Sequence, residues 1–112
     1  MSDYAKAWPS DLAFDRESQC LRIAFDDGAA FAIPFELLRV ESPSAEVQGH
    51  GGRKVIVRDK AQVGVTDALP VGRYAVRIVF DDGHETGIYS WAYLRKLGEE
   101  QDILLAAYRA AV

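Results

Sequence analysis

Leu21-Arg22-Ile23-Ala24-Phe25-Asp26-Asp27-Gly28 returns later in the chain as Val76-Arg77-Ile78-Val79-Phe80-Asp81-Asp82-Gly83. In both copies apolar residues alternate with others and run into Asp-Asp-Gly, the pattern of a half-buried strand entering a hairpin. Each closing glycine can take the positive φ that a tight turn demands. With its flanks, each half reads strand, turn, strand, short helix. A duplicated β-hairpin-plus-helix unit, mainly antiparallel and ending in a C-terminal helix, predicts an α+β fold. Two copies are too few for a solenoid.

Leu12 to Phe14 and the polar turn Asp15 to Ser18 form an opening hairpin with the first copy. A return strand follows over Ala29 to Ile33. Pro34 suits a first helical turn, so a short helix is expected over Pro34 to Val40. Ser42-Pro43 stops it, and Glu41 to Gly52 reads as a long loop. Alternating β-branched residues predict strands at Val55 to Val57 and Val63 to Val65, with Leu69 to Gly72 ending the second of them. Tyr74, Val76, Ile78 and Phe80 share one face of the second copy, and the chain returns through Glu85 to Tyr89. Ser90 then caps a helix carrying Trp91, Leu94 and Leu97, which Gly98 is expected to stop. A last helix over about 99–110 has Glu99, Glu100 and Asp102 in its first turn, Arg109 near its end, and Ile103, Leu104, Ala107 and Tyr108 as its buried stripe.

The 112 residues suit one domain, with a core over about 8–97. A formal net charge of -4 disfavours general attraction to phosphate backbones. Arg53, Lys54, Arg58 and Lys60 cluster, but Asp59 interrupts them and no aromatic residue there could stack a base. No nucleic-acid partner is expected. The single cysteine, Cys20, cannot form an internal disulfide, and neither a secretory leader nor a long apolar run is visible. These features point to a cytoplasmic protein without a membrane partner.

His84 and its neighbours Asp81, Asp82 and Glu85 could offer imidazole and carboxylate to a metal or to acid-base chemistry. The other reading is an exposed turn histidine whose pKa the acids raise. His50, between Gly49 and Gly51, belongs either to a ligand-binding loop or to a plain flexible one; it matches neither a P-loop nor a dinucleotide fingerprint. Cys20 reads as a small strand residue packed or half packed. Ser18, Ser42, Ser44 and Ser90 lack a nucleophile-elbow context. Tyr89, Trp91 and Tyr93 form an aromatic group at a strand-helix junction, explained mostly by packing.

Several blocks together resemble the gamma-butyrobetaine hydroxylase N-terminal-like family. They are Phe35-Glu36-Leu37-Leu38-Arg39; Ser42-Pro43-Ser44-Ala45-Glu46-Val47 with Gly49-His50-Gly51; Val71-Gly72-Arg73-Tyr74; and Phe80 through Trp91. The likeness runs from Trp8 to Leu97. It implies a domain of unknown function in its stand-alone form, found elsewhere fused to hydroxylases or to P-loop ATPases that carry iron-sulfur clusters. In the hydroxylases the resemblance implies a structural zinc held by three cysteines and one histidine. Those positions fall here on Ser42, Ser44, Val47 and His84, so only the histidine survives. The iron and 2-oxoglutarate ligands belong to a later domain, and oxygenase activity is not expected. The resulting expectation is a non-catalytic accessory module, neither enzyme nor cofactor carrier, without a zinc site. Its partner would be a protein of iron-sulfur cluster assembly, such as a carrier ATPase, bound through His84, Asp82, Glu85, His50 and Ser44. The alternative is a small-molecule or metal site around His84 and His50.

Overall fold

Two three-stranded antiparallel sheets, ordered β1-β2-β3 and β4-β5-β6, carry the repeat into three dimensions. The computed structural model describes residues 8–49 and 54–112. The first sheet contains β1 (Pro9–Asp15), β2 (Cys20–Phe25) and β3 (Ala30–Pro34), followed by helices α1 (Phe35–Val40) and α2 (Ala45–Gln48). The second contains β4 (Val65–Val71), β5 (Ala75–Phe80) and β6 (Gly87–Ser90), followed by the long helix α3 (Trp91–Ala111). The α+β class and the paired hairpin-helix units are as the sequence predicts.

The two units agree down to single hydrogen bonds. Gly28 at φ +92° and Gly83 at φ +93° close equivalent turns. Their amides donate to Phe25 O at 3.0 Å and Phe80 O at 3.3 Å. Asp27 accepts from the Ala29 amide at 3.1 Å, and Asp82 accepts from the His84 amide at 3.0 Å. Irregularities in β1 between Pro9 and Asp11, and in β4 between Val65 and Asp67, let Ser10 and Thr66 each donate to the neighbouring strand, at Ala24 O and Val79 O. Even the helix starts correspond, with the Phe35 amide bound to Gln19 O and the Trp91 amide to Tyr74 O.

The core lies where the sheets meet α1 and α3. Leu21, Ile33, Leu37, Leu38, Ile78, Tyr89 and Leu94 have no exposed surface. Helix α3 packs against β3 of the first unit as well as β6 of its own, so the units are interlocked. No helix among the described residues is long and apolar enough to cross a membrane.

Five expectations need correction. Gly98 does not stop a helix: α3 runs unbroken through it, and a Cβ there would meet the Phe31 ring at 2.6 Å. The glycine serves close packing rather than termination, and of the stripe expected on this last stretch of helix Leu104 and Tyr108 pack on the core while Ile103, 72% exposed, and Ala107 face outward. No strand forms at 55–57, and β4 begins only at Val65. The β-branched residues there satisfy burial by packing, Val63 in the core and Val57 against it, while Asp59 at φ +61° interrupts the extended chain. The stretch expected to be a loop contains α2, whose N-cap Ser44 accepts from the Glu46 amide. Tyr74 does not join the inward face; it is 60% exposed.

Candidate functional site

Helices α1 and α2 meet the turn between β5 and β6 at a small polar cluster. Two residues beyond the end of α1 stands Ser42, which has no exposed surface, and Ser44 caps the start of α2. The second Asp-Asp-Gly turn then delivers His84 against them. Its Nε2 lies 2.8 Å from Ser42 Oγ, and its Nδ1 lies 3.2 Å from Glu46 Oε1. Beside this, Ser44 Oγ and Thr86 Oγ1 share a hydrogen bond of 2.7 Å, and Gln48 donates to Ser42 O.

His84 is therefore only 6% exposed and is not the surface turn residue that its acidic neighbours suggest. Its pKa is lowered, not raised: burial dominates, and the Arg39 charge adds to it against the opposing pull of Glu46 and Asp82. The acids are visible in the sequence, whereas the desolvation that outweighs them arises only in the fold.

Asp82 faces the cations. Arg39 Nε reaches its Oδ2 at 2.8 Å and Lys60 Nζ at 2.7 Å. Burial alone would raise the carboxyl, but the hydrogen bonds from Lys60, the His84 amide and Arg39 outweigh it and hold its pKa at about 2. The first unit has the same latch with the partners exchanged, since Arg95 of α3 reaches Asp27 at 2.9 Å. Each unit's helix thus grips the other unit's turn.

Of the expected site residues, Ser44, Asp82 and His84 come together; Glu85 points outward, 60% exposed and 3.7 Å from Arg77. His50 lies outside the described residues. Glu46, Arg39, Lys60 and Thr86 went unforeseen. A signal for Glu46 was present, because Ser44-Ala45-Glu46 is an N-cap followed by an acid in the first turn.

The order hydroxyl, imidazole, carboxylate is that of a hydrolytic triad. Here the hydroxyl and the imidazole are buried, and the carboxylate lies at the surface. Ser42 Oγ has no surface on which a substrate could approach and already accepts from the Ser44 amide at 3.2 Å. A groove of about 540 Å³ between β1 and β4, lined by Leu12, Phe14, Pro70 and Trp91, does not include these residues. A zinc ion does not fit the donor set either. Two serine hydroxyls and a valine cannot supply the anionic sulfur ligands of a Cys₃His site, and the His84 Nε2 is already in a hydrogen bond of 2.8 Å with Ser42 Oγ.

The comparisons with known proteins agree with this architecture. One solution NMR structure is 40% identical, with a TM-score of 0.81 over 94% of this chain and 83% of that one. A second NMR structure is 45% identical, with a TM-score of 0.78 over 99% and 86%. A crystal structure of a protein of unknown function in the DUF971 family, from Acidithiobacillus ferrooxidans, is 38% identical, with a TM-score of 0.71 over 87% and 98%. No curated protein matches the chain. Residues 12–95 match the family described as gamma-butyrobetaine hydroxylase-like, N-terminal, and the chain belongs to that family.

Proposed function

We propose that the protein is a non-catalytic, cytoplasmic binding module whose partner is a protein of iron-sulfur cluster assembly, with a carrier ATPase as the first candidate. The observation that carries the non-catalytic part is the complete burial of Ser42 at the centre of the polar cluster. A hydroxyl sealed from solvent in such a chain can orient its surroundings but cannot attack a substrate. The choice of partner rests on the fusion of similar domains to such ATPases.

The contact surface on this reading is the acidic rim above the cluster. Glu46 and Glu85 keep side-chain exposures of 63% and 60%. Exposed carboxylates of this kind set the encounter rate and register of a complex through charge complementarity. Purified protein and the carrier ATPase from the same genome should bind saturably in calorimetry. Glu85→Lys should weaken that binding by about tenfold, the equivalent of ~1.4 kcal/mol, without moving the melting temperature, whereas Glu46→Lys should weaken binding and also lower the melting temperature, because Glu46 contacts His84. Two folded proteins that show no heat of binding at micromolar concentration would reject the ATPase as partner.

A further inference from the structure

The internal repeat supplies a control for the polar cluster, because the first unit shows what the fold does at the same place without it. There Phe31 of β3 packs its ring edge-on against Phe25, with centroids 6.2 Å apart, and Gly98 of α3 makes room for it. In the second unit the ring beside Phe80, the counterpart of Phe25, is the His84 imidazole at 6.1 Å. Gly87 holds the strand position that corresponds to Phe31, and Ser42, just beyond α1, the chain position that corresponds to Gly98 within α3. A Cβ on Gly87 would fall 2.6 Å from Ser42 Oγ. One unit fills the spot with a phenyl ring facing a glycine, the other with an imidazole facing a hydroxyl.

A phenyl ring therefore satisfies the packing, and what the imidazole adds is two directed hydrogen bonds. Their polarity follows from the partners. The Glu46 carboxylate only accepts, so Nδ1 carries the proton. A neutral ring then has a lone pair at Nε2, so the Ser42 hydroxyl donates to it. Ser42 Oγ in turn accepts from the Ser44 amide at 3.2 Å, which leaves every member of the chain satisfied.

We propose that Ser42, His84 and Glu46 form a metal-free clasp in which His84 is the positioning residue, fixing α2 to the second hairpin and orienting the Glu46 carboxylate at the surface. The clasp occupies the locus where the family resemblance implies zinc, and it does so with a donor set that suits hydrogen bonding and not metal coordination. Where the resemblance implies thiolates this chain has Ser42, Ser44 and Val47; Ser42 and Glu46 engage the two nitrogens of the histidine. The groups that set its protonation are Arg39 of α1, Glu46 of α2 and Asp82 of its own turn, with burial the dominant influence. The clasp does not depend on which protein binds the rim.

The chain has two histidines, so His50→Gln leaves His84 as the sole imidazole signal. In that background, long-range proton-nitrogen spectra should show the Nδ1–H tautomer, titrating below the ordinary value of about 6.5. Glu46→Gln should move the midpoint lower still, since it removes a charge that favours the imidazolium. Ser42→Ala should shift the Nε2 resonance towards that of a free acceptor; Ser42→Thr, which keeps the hydroxyl, should restore part of the wild-type shift. Elemental analysis of the untagged protein should find less than a tenth of an equivalent of zinc, and added zinc should leave the spectrum unchanged, by order of magnitude. An Nε2–H tautomer, a midpoint indifferent to Glu46→Gln, or uptake of about one equivalent of zinc with loss of the His84 signal would overturn the clasp.

Discussion

His84 reverses the ordinary expectation for a residue that follows Asp-Asp-Gly. With 6% exposure and hydrogen bonds to Ser42 and Glu46, it is part of the interior. His84→Ala should cost about 1–3 kcal/mol in urea denaturation, because it opens a cavity and strands the Ser42 hydroxyl. A surface histidine would cost within roughly 0.5 kcal/mol. A midpoint unchanged from wild type would show that the ring is not held as described. The turn glycines behave differently. A Cβ on Gly28 or Gly83 meets nothing within 4 Å, so the cost of substitution there is backbone strain alone. Gly28→Val and Gly83→Val should each lose about 1 kcal/mol or more, and by similar amounts, since the two φ values nearly coincide. Unequal losses would mean that the two turns are not equivalent in energy.

At the scale of elements, α3 shows where local rules end. A glycine inside a helix ordinarily costs ~1 kcal/mol relative to alanine, so Gly→Ala there should stabilise. Gly98→Ala should instead destabilise by about 1–3 kcal/mol, because the new methyl would sit 2.6 Å from Phe31 Cγ, at the base of the ring rather than its far end. Adding Phe31→Ala should relieve part of the loss, and a double-mutant cycle with coupling below ~0.5 kcal/mol would deny the contact. The same contact explains what could be read beforehand. Strands β2 and β5 were legible because period-2 alternation and Asp-Asp-Gly are local signals. Helix starts at Pro34 and Ser90 were legible from their caps. The continuity of α3 was not, because the reason for Gly98 lies in another element. Val55 to Val57 misled for a related reason: β-branched residues record burial, and packing against a core buries them as well as a ladder does. The site was legible in part. The turn fixes where His84 must be, but its partners come from a helix more than thirty-five residues away in the chain.

For the whole molecule, the reciprocal latches tie two hairpin-helix units into one cooperative body, and their titration sets its response to acid. His84 and Asp82 act over separate ranges. His84 has a folded pKa below its unfolded value of about 6.5, so between those values the unfolded chain binds more protons. Stability should therefore fall as pH drops through about 6.5, then level off once the folded imidazole is also protonated. Asp82 acts lower. Its carboxyl is held at about 2 in the fold against an ordinary 3.8, so its contribution is complete above the unfolded value and disappears as pH falls through the folded one. That shift corresponds to about 2 kcal/mol at neutral pH, to order of magnitude. Denaturation free energies measured from pH 8 to pH 2 should show a first decline starting near 6.5 and a second between about 4 and 2. Asp82→Asn should leave the first decline in place and reduce the second, whereas His84→Gln should remove the first. If Asp82→Asn left the acid limb untouched, the Arg39 and Lys60 contacts would carry no net stability, and this latch would contribute nothing to the hold of one unit on the other.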